Sequence, residues 1–147
     1  MDNSLTDAIT SKNHLVRKLD RELDFTFIVD EIGDLYNPDL SYIVSPEYIA
    51  RYMLLIHLFS LDRPMRINQT KEEKINDQMF DNAPYRWFLK SEMGDPMPEY
   101  SRVMKSRSDF GDDEKWESIF NSLLQQCADK GLPYKKNGAW DNLDIWE

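Results

Sequence analysis

The stretch Ser45-Pro46-Glu47-Tyr48-Ile49-Ala50-Arg51-Tyr52-Met53-Leu54-Leu55-Ile56-His57-Leu58-Phe59-Ser60 decides the fold. Serine can cap a helix, proline suits its first position, and glutamate favours the positive end of the macrodipole. The helix that follows carries Ile49, Tyr52, Met53, Leu55, Ile56 and Leu58 and is apolar nearly all round, so it is expected to be central and buried. Its apolar run, residues 52–59, is far too short to span a bilayer and contains His57.

Helical spacing continues on both sides of this segment. Towards the C-terminus, Arg63-Pro64 breaks the chain, and Thr70-Lys71-Glu72-Glu73 reads as a capping box that opens a helix through Ile75, Met79 and Phe80. Residues 81–84 interrupt it, residues 85–90 form a compact aromatic turn or helix, and residues 94–98 make another break. A short helix over 99–107 carries Arg102, Lys105 and Arg107. The clearest periodicity lies over 112–129, where Trp116, Ile119, Phe120, Leu123, Leu124 and Cys127 share one face and Gly131 follows as a natural terminator. Towards the N-terminus, residues 13–23 and 25–35 read as two further helices, the second ended by Asn37-Pro38. No segment shows convincing strand alternation. The expected class is all-α: a compact single domain of six or seven short helices, helix-turn-helix-like, with an irregular acidic C-terminal tail. The expected division is a flexible N-terminus over 1–12, the helical domain over 13–132 and the tail over 133–147.

The bulk properties agree with one core. The chain has 147 residues, 41% of them hydrophobic and 12% aromatic, with five glycines; that much apolar material in one domain excludes global disorder. A single cysteine precludes an internal disulfide, and the polar opening residues have no signal-peptide core, so a cytoplasmic protein without a membrane segment is expected. The net charge is −9. Residues 1–60 hold 10 acids and 5 bases, residues 61–110 hold 9 of each, and residues 111–147 hold 8 acids and 4 bases. Bases are therefore relatively richest in the middle, although the field of the whole chain opposes phosphate.

Candidate chemistry is sparse. His14 and His57 are lone histidines with no partner at metal-ligand spacing and read as structural; Cys127 sits on an apolar face and reads as inert core. No nucleophile–base pair, phosphate-cradling glycine loop or zinc spacing is visible, so no catalytic residue, metal or cofactor is expected. Tyr85, Arg86, Trp87 and Phe88 fit either a stacking platform or, the favoured reading, a core pair of Trp87 and Phe88 with Tyr85 and Arg86 at its edge.

Asn82-Ala83-Pro84-Tyr85-Arg86-Trp87-Phe88-Leu89 resembles the Asn-x-x-Tyr-Arg-Trp-Phe-Leu run in the N-terminal helical domain of bacterial DDE-class insertion-sequence transposases. The resemblance continues in order through His14 to Asp20, Leu35-Tyr36 with Ser45-Pro46 and Met53-Leu54-Leu55, then Pro98-Glu99-Tyr100-Ser101 with Lys105 and Arg107, and on to Phe110-Gly111, Ile119-Phe120 and Cys127 to Leu132. It departs at Pro84, where the family usually has alanine, and over 62–81, which is several residues longer. The family continues past the position of Leu132 into a strand with the first catalytic aspartate in an Asp-Gly-Thr setting; here the chain reads Tyr134-Lys135-Lys136-Asn137-Gly138-Ala139-Trp140. The resemblance thus implies a domain without its catalytic carboxylates, not an enzyme by itself.

The resemblance further implies recognition of terminal inverted repeats in double-stranded DNA, or a transposase partner. The expected contact residues are Arg102, Lys105 and Arg107, with Arg86, Arg63 and Arg66 as further basic positions. The rival for the basic helix is an ordinary solvated face, with Arg107 paired to Asp109 or Asp113. A second function class is also open. A repurposed acidic interaction protein would inhibit a basic nucleic-acid-binding enzyme, using Trp140, Ile145 and Trp146 of the tail to hold the partner. A homodimer is among the arrangements allowed.

Overall fold

The computed structural model describes residues 5–12, 14–37, 39–40, 42–62, 68–136 and 139–141, and for 136 and 139–141 it describes the backbone. Among these residues there are eight α-helices: α1 (Leu5–Ile9), α2 (Leu15–Glu22), α3 (Phe27–Ile32), α4 (Pro46–Phe59), α5 (Lys71–Asp81), α6 (Ala83–Phe88), α7 (Tyr100–Phe110) and α8 (Asp113–Asp129). The all-α class holds. The departure from it is a two-stranded antiparallel ribbon, β1 (Tyr134–Lys136) with β2 (Ala139–Asp141), at the start of the segment expected to be irregular.

The helix starts follow the sequence signals. Ser45 Oγ accepts from Tyr48 N–H at 3.1 Å at the head of α4, and the Thr70–Glu73 capping box closes reciprocally at 3.1 Å on both sides. Asp112 Oδ1 accepts from Lys115 N–H at 2.8 Å to open α8. His14 caps α2, its Nδ1 accepting from Val16 N–H at 3.2 Å; burial and then the nearby Arg17 charge push this imidazole below its usual pKa, which favours the neutral acceptor form.

Three local departures have physical reasons. The helix expected over 25–35 splits into α3 and a 3-10 turn, Gly33–Leu35, because Gly33 takes φ 63° and ends the α-ladder. Residues 81–84 do not form a broad break: Asn82 alone separates α5 from α6, since Pro84 falls in the first turn of α6, where its missing N–H costs nothing. Residues 5–9, expected to fray, form α1, and its faces are inverted. Thr6 and Thr10 are buried, whereas Leu5 and Ile9 point outwards.

Helix α4 is the centre of the core. Ile49, Tyr52, Leu54, Leu55 and Leu58 are inaccessible, and they pack with Leu15, Val16 and Leu19 of α2, Ile28 of α3, Ile75 and Met79 of α5, Phe88 of α6, Val103 of α7 and Ile119, Leu123 and Cys127 of α8. Burial pushes the Cys127 thiol up to about 11, as befits an unreactive core sulfur. The tight junctions are α5–α6 at Asn82 and α7–α8 at Gly111-Asp112, whereas α7 itself follows the longer connection of residues 89–99. A Cβ at Gly111 would lie 3.0 Å from Lys115 Cγ, so a larger residue there requires the Lys115 side chain to give way.

Candidate nucleic-acid interface

Helix α7 is held from below and at both ends. Val103 and Phe110 are buried, and Phe110 meets the Tyr42 ring edge-on at 5.1 Å, fixing the C-terminal end of α7 to the loop before α4. At the start, Tyr100 N–H donates to Asn76 Oδ1 of α5 at 2.8 Å. The opposite face carries Arg102 and Lys105, both exposed, one turn apart. Lys105 Nζ lies 3.6 Å from Asp109 Oδ2 in a pair open to solvent on both sides; such a pair holds the ammonium loosely. Arg102 makes no ion pair among the described residues and stands on the rim of a cleft shared with Leu35, Ile43 and Ser106, where Ile43 is 73% exposed.

Arg107 has a different position. Its Nη1 is 2.6 Å from Asp113 Oδ1, and its carbonyl accepts from Trp116 Nε1–H at 2.7 Å, so it braces the α7–α8 corner. Of its two anticipated pairings, the one to Asp113 is formed. Its Nε is buried and has no hydrogen-bond partner among the described residues.

Arg86 does not belong to the surface. It is 5% exposed, and its guanidinium donates to the Phe80 carbonyl at 2.6 Å from Nε, and from Nη1 to Glu92 O at 2.5 Å and Asp95 O at 3.2 Å. A cation facing three carbonyls organises the connection of residues 89–99 and is not available to phosphate. The neighbouring aromatic reading is also corrected. Tyr85 and Phe88 are core, but Trp87 is half-buried at the surface, with the Arg17 guanidinium 4.6 Å above its ring and its Nε1–H donating to Asp7 Oδ1 at 3.1 Å. Trp87 meets its N–H partner, Asp7, at the rim, whereas the core Trp116 meets the Arg107 carbonyl, so each indole is satisfied where its ring lies.

Arg63 and Arg66 lie outside the described residues, as do Ile145 and Trp146, and Trp140 lies in β2 with only its backbone described. Two structural cations were not singled out from the sequence. Arg51, 5% exposed, is sandwiched between the Phe25 and Phe88 rings at 4.5 and 4.6 Å while pairing with Asp20 and Glu47 at 2.9 Å each. Arg17 bridges α1 and α2 through Asp7 at 2.9 Å. The spacing Glu47–Arg51, one turn apart in a helix, was the available signal for the first.

Among the described residues no group of three or more His, Cys, Asp or Glu side chains is placed to hold a metal ion, and no helix is long and apolar enough to cross a membrane.

A helical bundle with a hydrophobic core, tied by the buried Arg51 and Arg86 and presenting Arg102 and Lys105 on a short outer helix, is the class defined by these features. A family model described as Transposase domain (DUF772) matches residues 3–109, well over half of the chain, and the protein belongs to that family. The match takes in α1 to all but the end of α7; α8 and the ribbon lie beyond it. Neither curated proteins nor solved structures give a match.

Proposed function

We propose that this chain is the DNA-recognition module of a transposase system, binding double-stranded DNA at terminal inverted repeats without performing the strand chemistry itself. The observation that carries the reading is the outer face of α7, where Arg102 and Lys105 project from a helix anchored by Val103 and Phe110. Membership of a transposase-domain family supports it. Arginine can read guanine or grip phosphate, lysine grips phosphate, and the exposed Ile43 and Leu35 beside Arg102 offer apolar surface to a thymine methyl or a sugar. Arg107 acts one step back, holding the corner that sets the pitch of α7.

The test is titration of a labelled inverted-repeat duplex across a range of salt. Binding is expected to weaken steeply with salt; either single replacement, Arg102→Ala or Lys105→Ala, is expected to flatten the logarithmic salt slope by about 1, and the two together to abolish binding. Unchanged affinity in the folded double variant would remove α7 as the contact helix.

A second reading draws on the acidic balance. With a net charge of −9 and the exposed Glu114 and Glu117 on the outer face of α8, the chain also suits a basic protein groove made for phosphate. Absence of duplex binding at low salt, together with stoichiometric capture of a basic nucleic-acid-binding enzyme, would favour it over the first.

A further inference from the structure

The connection that leads from the 3-10 turn into α4 is fastened to α7 by aromatic rings. Tyr36 and Tyr42 stack at 5.5 Å, and both lie against Phe110 of α7, at 6.4 and 5.1 Å. Asn37 N–H donates to the Tyr42 hydroxyl at 3.0 Å, Val44 is buried, and Ser45 caps α4. Between the anchored Tyr42 and the buried Val44, Ile43 turns outwards and is 73% exposed. No other large apolar side chain among the described residues is as open to water.

An exposed isoleucine on a slack loop would carry no information. Here the neighbours fix the backbone, and a β-branched side chain has few rotamers to lose, so its methyl groups are placed before any partner arrives. Ile43 shares the wall of one cleft with Leu35, Arg102 and Ser106, on the flank of the helix that carries the basic face. Asp109 lies on the same wall. Its carboxylate opposes a phosphate beside Ile43 and accepts from the amino group of a base, so this place suits a base edge better than the backbone. The apolar group that base edges present in the major groove is the 5-methyl of thymine.

We infer that Ile43 is a sequence-reading residue, packing on the 5-methyl group of a thymine while α7 holds the duplex through Arg102 and Lys105. The recognition surface is then composite, made of one helix and one fastened connection. The inference rests on the DNA reading above. It adds a preference for thymine at one place in the site, which neither Arg102 nor Lys105 supplies.

The experiment compares the inverted-repeat duplex with a series in which one thymine at a time is replaced by deoxyuridine, which lacks only the methyl group. At one position the wild-type protein is expected to bind about four times more weakly, the value of one buried methyl group. Ile43→Ala, with an unchanged urea midpoint, is expected to bind the parent duplex more weakly by a similar factor and to ignore that same replacement. Duplex binding that is indifferent to every deoxyuridine overturns the inference and leaves the DNA reading standing. A penalty that persists undiminished in Ile43→Ala overturns it as well, since the methyl group is then read elsewhere. So does a loss in Ile43→Ala that is equal on every duplex, the result expected if Ile43 meets a sugar or a protein partner. Absence of duplex binding at every salt concentration removes both readings together.

Discussion

Arg51 and Arg86 lie inside the molecule, and Arg102 and Lys105 lie outside it, although all four are cations on short helices. The inner pair is enclosed by aromatic rings, carboxylates and backbone carbonyls. The outer pair has one loose, solvent-open partner between them among the described residues. The contrast teaches that the arginines of this fold divide into internal ties and external contacts, and that the neighbours supplied by other helices decide which is which. Arg86 illustrates the hazard: it sits in the motif that carries the family resemblance, beside Trp87, and its charge is directed inwards.

The largest expected effect is on the inner pair. Arg51→Met orphans the buried Phe88 carbonyl, removes the cation held between the Phe25 and Phe88 rings and leaves the part-exposed Asp20 and Glu47 unpaired, and is expected to destabilise the fold by about 3 kcal/mol. Urea unfolding would show it as a midpoint about 1–3 M lower at constant slope. Arg86→Met, which orphans the carbonyls of Phe80, Glu92 and Asp95, is expected to cost about 2–3 kcal/mol in the same assay. A stable Arg86→Met variant that merely bound DNA more weakly would move Arg86 to the outer group and break the division.

The outer pair should behave oppositely. Arg102→Ala with Lys105→Ala is expected to shift stability by no more than about 0.5 kcal/mol, so any loss of duplex binding reports contact and not folding. A cooperative loss of structure in that variant would erase the distinction from the other side.

A smaller effect sharpens the comparison at Arg17, a tie that reaches the surface. Its hydrogen bond holds the Asp7 carboxyl below the usual value of 3.8, with a further contribution from the Trp87 N–H. A carboxyl with a depressed folded pKa contributes stability above its unfolded value and loses it as pH falls through the folded one. His14, depressed from 6.5 by burial, loses its contribution in the same direction, on acidification below the neutral range. The Trp87 indole N–H resonance is therefore expected to report release of α1 as pH falls below about 4, and Asp7→Asn is expected to remove that transition. An unchanged acid profile in Asp7→Asn would remove the Asp7–Arg17 pair as the origin of the transition.

Much of the fold was legible because it rests on local rules. The caps at Ser45, Thr70 and Asp112 and the periodicity of α8 need only neighbours in sequence. The site was legible only as a list of cations. Arg107 reached its pairing with Asp113 through a corner that spacing alone allowed in two ways, and Arg86 was placed by carbonyls of a connection whose path no periodicity encodes. The ribbon was missed because three-residue strands are too short to show alternation.

The inverted faces of α1 set the thermodynamics of its attachment. Its inward Thr6 and Thr10, its Asp7–Arg17 pair and the Thr6 N–H bond to Glu92 at 2.8 Å put little hydrocarbon out of water, while Leu5 and Ile9 stay wet. Heat-capacity change and denaturant sensitivity both scale with the surface exposed on opening. Detachment of α1 should therefore carry a small value of each, and ionic strength should govern it more strongly than temperature or urea.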